Sequence, residues 1–396
     1  MEIAEQGFAG IAADTRYKVT ILQYRLFHYR VDLFHHLKAL AATHGVDLNL
    51  VVGQPYGKEL LKKDEGEIAW ARKVRNRYLP VVEKKDLCWQ PTPRDLRNSD
   101  LVIFMQENRL LSNYLWMLKR RFGGPMVAYW GHGRDFQSRA PGGLREKWKQ
   151  RSIQWVDWWF AYTSITSGLL VEAGFPASRI TCLNNAIDVR GMRDDWAGVT
   201  AEHKAGIRRE CKIDDRSVVG LFCGSLYPDK KLDLLLAAAD MIHAAIPDFR
   251  MVVIGDGSSR AELVSELETR PWATWVGVKR GAEKAAYFGF AHIVLNPGLV
   301  GLHILDAFAM GLPMITTRTA LHSPEIAYLE HGSNGLMCGD SANEYADAVI
   351  SLLRDREALA GMSDRARKTS DKYTVEAMAS NFMGGIVDAL NAGKRT

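Results

Sequence analysis

The sequence has few features of a secreted, disulfide-bonded or membrane-spanning protein. Its 396 residues include five cysteines, spaced too widely to predict a disulfide framework or a zinc site, at positions 88, 182, 211, 223 and 338. No apolar run approaches the roughly 20 residues that a membrane-spanning helix needs. The acidic N-terminal stretch lacks the apolar segment of a signal peptide. We therefore expect a cytoplasmic protein.

Charge is unevenly distributed along the chain. Residues 1–190 hold 28 Lys and Arg against 19 Asp and Glu, a net +9, and the remainder has a net −4. A basic half indicates an anionic partner such as a membrane surface or a phosphorylated lipid, and a solvated basic surface without a partner is an equal alternative. Nucleic acid is disfavoured as a partner, because the basic residues alternate with acidic ones and form no recognised motif.

Short β-rich runs alternate with helical patterns in two successive series, which predicts two Rossmann-like α/β domains with parallel sheets. The break between them is expected in the polar, strandless segment 188–215. The predicted strands are 18–24, 46–52, 100–105, 126–130, 158–163, 179–184, 217–224, 249–255, 274–278, 292–296 and 313–317. The predicted helices are 31–43, 108–122, 143–155, 165–173, 231–244, 259–268, 302–310, 341–354, 356–369 and 374–392.

Two stretches of the second series have the pattern of phosphate sites. In GSLYPDKK (224–231), Gly224 follows a strand and Lys230 is expected in the first turn of a helix, where a bound phosphate would explain a lysine. In GLVGLHILDAF, the segment Gly301, Leu302 and His303 begins a helix with free N–H groups. Asp306 lies one turn further on a helix that is apolar almost all round, so we expect it to accept ribose hydroxyls; a surface acid on an amphipathic helix is the alternative.

In the first series, polar residues follow three predicted strands. His132 comes just after the strand at 126–130 and is a candidate acid/base or orienting group, with a structural histidine as the alternative. Arg30, Glu107 and Arg134 are acceptor-side candidates, although a structural role is favoured over a catalytic one for Arg30 and Glu107.

These motifs together resemble the GT-B glycosyltransferases of the retaining family 4 (glycosyltransferase group 1) type, known from capsule and exopolysaccharide synthesis. The resemblance rests on five segments in the family's order: CGSLYPDKKLDLLLAAA, VVIGDGSSR, WVGV, NPGLVGLHILDAFAMGLPMITT and PEIAYLEHGSNGLM. It implies two facing Rossmann-like domains with a cleft between them, and a C-terminal helix crossing back to the first domain. It assigns acceptor binding to 1–190 with 374–396, and nucleotide-sugar binding to 191–373, where Val278 joins the residues above.

The sequence departs from the family at three positions of this site. The family has two glutamates eight residues apart, and here they are Gly298 and Asp306. Its phosphate-binding arginine is Ser225, although the lysine partner remains as Lys230, and the glycine that follows is Lys231. Gly298 therefore puts the donor sugar in question more than the nucleotide. Lys231 or Arg280 is a possible substitute for the missing arginine charge.

The resemblance implies transfer of a sugar, with retention, from a UDP- or GDP-linked donor to a lipid-linked or free saccharide acceptor. His132 would be the catalytic residue, with no metal and no cofactor beyond the nucleotide sugar, because the chain has no Asp-x-Asp pair. Basic, aromatic segments at 109–123 and 142–160 indicate peripheral contact with anionic lipid on the inner face of the cytoplasmic membrane, or core tryptophan beside solvated bases. Two alternatives remain: a sugar-nucleotide epimerase of the same fold, and a degenerate homologue that binds glycan without turnover.

Overall fold

The chain divides into two compact units, Met1–Asn185 with Val375–Thr396 (unit 1) and Ala186–Thr374 (unit 2). We describe them from a computed structural model, which covers residues 17–62, 64–79, 86–134 and 143–394. The division at residue 185 precedes the boundary expected from the sequence by five residues (190 − 185).

Unit 1 is built on a parallel sheet of seven strands in the order β3-β2-β1-β6-β7-β8-β9, with a separate antiparallel pair β4-β5. Its strands are β1 (Tyr17–Gln23), β2 (Val46–Val52), β3 (Arg72–Lys73), β4 (Arg77–Leu79), β5 (Leu87–Trp89), β6 (Leu101–Met105), β7 (Met126–Gly131), β8 (Trp158–Ala161) and β9 (Ile180–Cys182). Its helices before the second unit are α1 (Val31–Thr43), α2 (Leu111–Arg121), α3 (Leu144–Ser152) and α4 (Ser164–Glu172).

Unit 2 is built on a parallel sheet of six strands in the order β12-β11-β10-β13-β14-β15. Its strands are β10 (Val218–Cys223), β11 (Phe249–Ile254), β12 (Ala273–Trp275), β13 (Ile293–Leu295), β14 (Met314–Thr317) and β15 (Gly335–Cys338). Its helices are α5 (Val189–Ala197), α6 (Ala201–Glu210), α7 (Leu232–Ala245), α8 (Arg260–Leu267), α9 (Gly281–Phe288), α10 (His303–Ala309), α11 (Ala342–Arg354) and α12 (Arg356–Ser370).

The central strands of both sheets are buried on both faces, which explains their unbroken apolar sequences. All five residues of β6 are buried, and so are the last five of β10. Helical connections on both faces supply this cover, because a parallel strand can be reached only by a crossover. The predicted α/β class with two parallel sheets is therefore confirmed.

The last helix, α13 (Val375–Gly393), packs on unit 1, as the sequence predicts. The ring of Phe382 lies 4.5 Å from that of Phe160 and 5.0 Å from that of Trp130. Gly385 permits this approach, since a Cβ there would lie 2.3 Å from Thr181 Oγ1. A methyl group at residue 385 would thus separate α13 from the sheet.

The segment 188–215 contains no strand but does contain two helices, α5 and α6, which the sequence analysis did not predict. Their starts carry ordinary N-cap signals: Asp188 accepts from the Gly191 N–H at 2.8 Å, and Thr200 accepts from the His203 N–H at 3.2 Å. The short strands β3, β4, β5 and β15 and the helix α9 were also not predicted. Within the described residues no helix is both long and apolar enough to span a bilayer.

Candidate functional site

The residues predicted to bind a nucleotide sugar follow the carboxyl ends of strands in unit 2. Gly224 and Ser225 follow β10, Val278 follows β12, and Gly298 and the segment 301–303 follow β13. Strands β12, β11, β10 and β13 are neighbours in the parallel sheet, so these loops meet at one edge. Ser225 and Val278 are exposed there.

Lys230 is the buried cation of this edge. It ends the 3-10 turn Pro228–Lys230 just before α7, rather than lying in the first turn of α7 as expected. The side chain is 4 % exposed, and its ammonium donates to the Leu299 carbonyl. Burial lowers the pKa of Lys230 to about 8. Within the described residues no carboxylate forms an ion pair with it, so its buried ammonium has no ionic partner there.

Gly298 lies against the backbone of the same turn. A Cβ at this position would lie 2.3 Å from the Asp229 carbonyl oxygen and 2.4 Å from Lys230 Cα. Contacts this short do not occur in folded proteins, so the loop admits only glycine here. The absence of the family's glutamate is therefore built into the backbone packing of unit 2.

Hydrogen bonds fix the loop between β13 and α10 along its length. Asn296 and Thr317 side chains donate to carbonyls of the loop, and Leu299 N–H donates to Asp229 O at 2.9 Å. His322 accepts from the Val300 N–H at 3.2 Å through Nδ1, and its Nε2 donates to Thr317 O at 2.8 Å. His322 must be neutral to make both bonds, and burial lowers its pKa accordingly.

The start of α10 presents hydrogen-bond donors and an imidazole. The N–H groups of 301–303 precede the first helical hydrogen bonds, and none of them has an acceptor within the described residues. His303 Nε2 is buried and also has no partner there. Burial lowers the pKa of His303 well below its usual value, and the positive charges of Lys230 and Lys284 act in the same direction.

Asp306 is paired with a residue that the sequence analysis missed. Lys284 of α9 donates from Nζ to Asp306 Oδ1 at 2.7 Å, and the carboxylate is 11 % exposed. Burial would lower the pKa of Lys284, but the Asp306 charge outweighs it and the pKa is raised. Oδ1 of Asp306 therefore has a partner within the protein, while Oδ2 has none among the described residues. The sequence signal for this ion pair was the position of Lys284 directly before the apolar run Ala285–Phe288.

Lys231, unlike Lys230, has a carboxylate partner. Its ammonium forms an ion pair with Asp340 at 2.9 Å and a hydrogen bond to Thr317 Oγ1 at 3.1 Å. Its backbone is left-handed, with φ of 51°, a conformation that favours the glycine found in the family. Whether Lys231 replaces the missing arginine charge stays a prediction, and Asp340 already pairs with this lysine.

In unit 1, His132 follows β7 directly and lies beside an arginine and a phenol. Its ring centroid is 4.2 Å from that of Tyr162. Arg30 donates from Nη2 to the Tyr162 hydroxyl at 2.8 Å. Burial lowers the pKa of His132 to about 3, assisted by the charges of Lys149 and Arg30. His132 is therefore neutral at physiological pH and can act as a hydrogen-bonding group, not as a cationic acid.

Glu107 belongs to a second cluster at this edge, which the sequence analysis did not foresee. Arg109 donates to Glu107 at 2.8 Å and to Glu59 at 2.7 Å, and its guanidinium lies 4.6 Å from the Tyr24 ring centroid. Glu107 thus forms an ion pair within the protein, with Arg109. Arg134 is exposed in the loop after His132.

Comparison with known proteins finds a family match within unit 2. Residues 217–355 match the family model described as Glycosyl transferases group 1, and this range contains the whole six-stranded sheet. The resemblance seen in the sequence is therefore confirmed for this segment of unit 2. A curated relative, the D-inositol 3-phosphate glycosyltransferase of Pseudarthrobacter chlorophenolicus, is 30 % identical over 228 residues, 52 % of this chain and 53 % of that protein. The chain spans about half the length of the curated relatives it matches.

Solved structures confirm the fold over nearly the whole chain. Sucrose-phosphate synthase of Thermosynechococcus elongatus superposes with a TM-score of 0.67 at 16 % identity, covering 96 % of this chain and 100 % of that one. HepE of Anabaena, solved in complex with UDP, gives 0.65 at 14 % identity, covering 92 % and 98 %. The fold is therefore that of the GT-B glycosyltransferases.

Proposed function

We propose that this protein is a glycosyltransferase that moves a sugar from a nucleotide-sugar donor to a saccharide acceptor. The observation that carries the proposal is Lys230, a buried ammonium without a carboxylate partner at the strand edge of a group 1 glycosyl transferase domain. A buried charge requires compensation, and a diphosphate supplies it.

The diphosphate is proposed to lie against Lys230, His303 and the N–H groups of 301–303. Lys230 and these N–H groups donate hydrogen bonds to phosphate oxygens, and the neutral His303 offers Nε2. Positive charge at this point stabilises the leaving diphosphate as the glycosidic bond breaks. UDP bound to HepE, which shares the fold, supports a nucleoside diphosphate as the ligand class.

Asp306 is proposed to bind the ribose through its second oxygen. Lys284 occupies Oδ1 and fixes the carboxylate, which leaves Oδ2 for a hydroxyl. Because Gly298 presents no side chain, the transferred sugar must be recognised here by other groups than the family's first glutamate.

His132 is proposed as the catalytic residue of unit 1. A neutral imidazole can accept or donate one hydrogen bond to the sugar as positive charge develops at its anomeric carbon. Transfer with retention, in which the donor's own phosphate assists deprotonation of the acceptor, follows from the family resemblance and needs no further base. Lys230 supplies the positive charge beside the diphosphate.

A membrane surface is proposed as the place of action. An aromatic–basic patch on α2 and α3 exposes Leu118 at 56 %, Phe122 at 81 % and Trp148 at 47 %. The last turn of α2 carries Lys119, Arg120 and Arg121 beside these side chains. Apolar side chains bordered by cations match an interface of anionic lipid.

The test is incubation with a panel of UDP- and GDP-sugars without acceptor, following products over hours. We expect slow release of free sugar and nucleoside diphosphate from one donor. An epimerase would isomerise the sugar instead. A protein that neither hydrolyses any donor nor binds a nucleoside diphosphate would contradict the proposal.

A further inference from the structure

Three cationic side chains of the described residues other than histidine are buried to about 4 % exposure: Arg25, Arg30 and Lys230. Arg25 has a carboxylate, since its Nη1 lies 3.1 Å from Asp64 Oδ1. Lys230 belongs to the diphosphate site proposed above. Arg30 has neither a carboxylate in the described residues nor an assigned ligand.

Aromatic rings surround the Arg30 guanidinium. Its Cζ lies 4.2 Å from the ring centroid of Trp130, 5.3 Å from that of Tyr162 and 5.6 Å from that of Tyr29. The ring faces offset part of the cost of burying the charge. They offer few hydrogen-bond acceptors, however, and the Tyr162 hydroxyl engages only Nη2.

Two of the three guanidinium nitrogens, Nε and Nη1, are buried without an acceptor among the described residues. The guanidinium packs against the ring of Trp130. The indole Nε1 of this ring is also buried without an acceptor among the described residues. Arginine cannot release its proton to escape this cost. The cluster therefore combines a permanent positive charge with several hydrogen-bond donors and lacks the matching acceptors.

An oxyanion supplies both the negative charge and the acceptors that this cluster lacks. Arg30 ends the 3-10 turn that follows β1, Trp130 lies near the end of β7 and Tyr162 directly follows β8, so the cluster lies at the carboxyl edge of the unit 1 sheet. His132 and Tyr29 are the partly exposed members, so they mark the side from which a ligand reaches the guanidinium.

We propose that Arg30 binds a phosphate group of the acceptor, which makes the acceptor of the proposed transfer a phosphorylated molecule. That this molecule is the acceptor rests on the proposed function, whereas the phosphate site is proposed from the residues of unit 1 alone. The basic composition of residues 1–190 is consistent with an anionic ligand on this unit.

The test is calorimetric titration of the protein with inorganic phosphate and with glycerol 3-phosphate. The protein is first saturated with UDP, which occupies the unit 2 site, and chloride keeps the ionic strength constant. We expect saturable binding by wild type and at least about tenfold weaker binding by Arg30→Met, the loss expected for a charge-assisted hydrogen bond. UDP affinity should be equal in the two proteins.

Further measurements distinguish failure of the proposed function from failure of the Arg30 site, and a lipid-borne phosphate from a free one. If UDP does not bind, the proposed function fails, and Lys230→Met protein then tests the Arg30 site alone. If Arg30→Met does not fold, Arg30→Lys replaces it, because a single ammonium nitrogen cannot reproduce the guanidinium contacts. Loss of binding to phosphatidic acid vesicles as well as to glycerol 3-phosphate identifies a lipid-borne phosphate; loss of the soluble ligand alone identifies a free one. No saturable phosphate binding, or equal binding by the Arg30 variant, overturns the inference.

Discussion

The carboxyl edges of the two sheets differ in which polar groups find partners within the protein. In unit 2 the loop after β13 is fixed by hydrogen bonds to Asn296, Thr317 and His322. In unit 1 the corresponding edge includes Arg30 and Trp130, whose buried nitrogens lack acceptors within the described residues. Each edge therefore leaves polar groups without a partner among the described residues: His303 Nε2 and the N–H groups of 301–303 in unit 2, and two guanidinium nitrogens of Arg30 in unit 1.

The difference also separates binding from chemistry. Unit 2 carries the ammonium and helix start proposed to hold the diphosphate, and unit 1 carries His132. Substitutions in one unit should therefore leave the other unit's function intact, and the following variants test this expectation.

The largest effect is expected at His132. His132→Ala should lower turnover by about 100-fold or more, because the imidazole is proposed to stabilise the sugar only as charge develops. Nucleoside diphosphate affinity should hardly change. Turnover and melting temperature are measured on the same preparation. A folded variant with full activity would end the catalytic assignment, whereas lost stability with normal activity per folded molecule would show a structural role.

Asp306 tests the ribose contact in unit 2. Asp306→Ala should cost about 1–3 kcal/mol of nucleoside diphosphate affinity and also leave the Lys284 ammonium buried without its partner. The double variant with Lys284→Met removes that unpaired charge, so its thermal stability should recover while its affinity stays low. Affinity that recovers together with stability would mean that Asp306 acts only through folding.

Gly298 tests the rigidity of the loop after β13. Gly298→Ala places a Cβ 2.3 Å from Asp229 O and should cost about 1–3 kcal/mol of unfolding free energy through overpacking. Gly301→Ala is the matched control, because the nearest atom to its Cβ, Ser323 Oγ, is 3.8 Å away. Equal denaturation midpoints for the two variants would contradict the packing described for Gly298.

The sequence predicts a structural feature best when the residues that determine it are close together along the chain. The ranges of α1 and β2 were predicted to the residue, since local periodicity and flanking turns define them. The short strand β15 and the helix α9 were missed because four residues, or eight beginning with glycine, give a weak pattern.

The same limit applies to the candidate site. Motifs indicated Lys230 and the start of α10 because both lie directly beside strand ends. The Lys284–Asp306 pair joins two helices, and the Arg30–Tyr162 bond spans 132 positions, so neither follows from local spacing. Gly298 is visible in the sequence as a departure from the family, but its cause is contact with the distant turn 228–230, which spacing along the chain does not reveal.

The smallest effect is expected at the aromatic–basic patch of unit 1. Phe122→Ser should weaken co-sedimentation with anionic vesicles by about 1–2 kcal/mol, because a side chain that is 81 % exposed loses its apolar contact with lipid. Val171→Ser on α4, where valine is 47 % exposed, is the control and should bind as wild type. Binding should fade as salt rises. Equal binding of wild type to neutral vesicles would contradict the membrane proposal.

The central claim, that Lys230 binds the diphosphate of the donor, is tested most directly by calorimetry with UDP and GDP on Lys230→Met and Lys231→Met. We expect the Lys230 variant to lose about 1.5–3 kcal/mol of affinity for whichever nucleotide binds wild type, and the Lys231 variant, whose ammonium is paired with Asp340, to lose far less. The pKa of Lys230 is lowered to about 8, so wild-type affinity should be greatest below this pH and fall above it, where binding requires proton uptake. The Lys230 variant should lack this dependence. Equal losses in the two lysine variants, or unchanged affinity in Lys230→Met, would contradict the account.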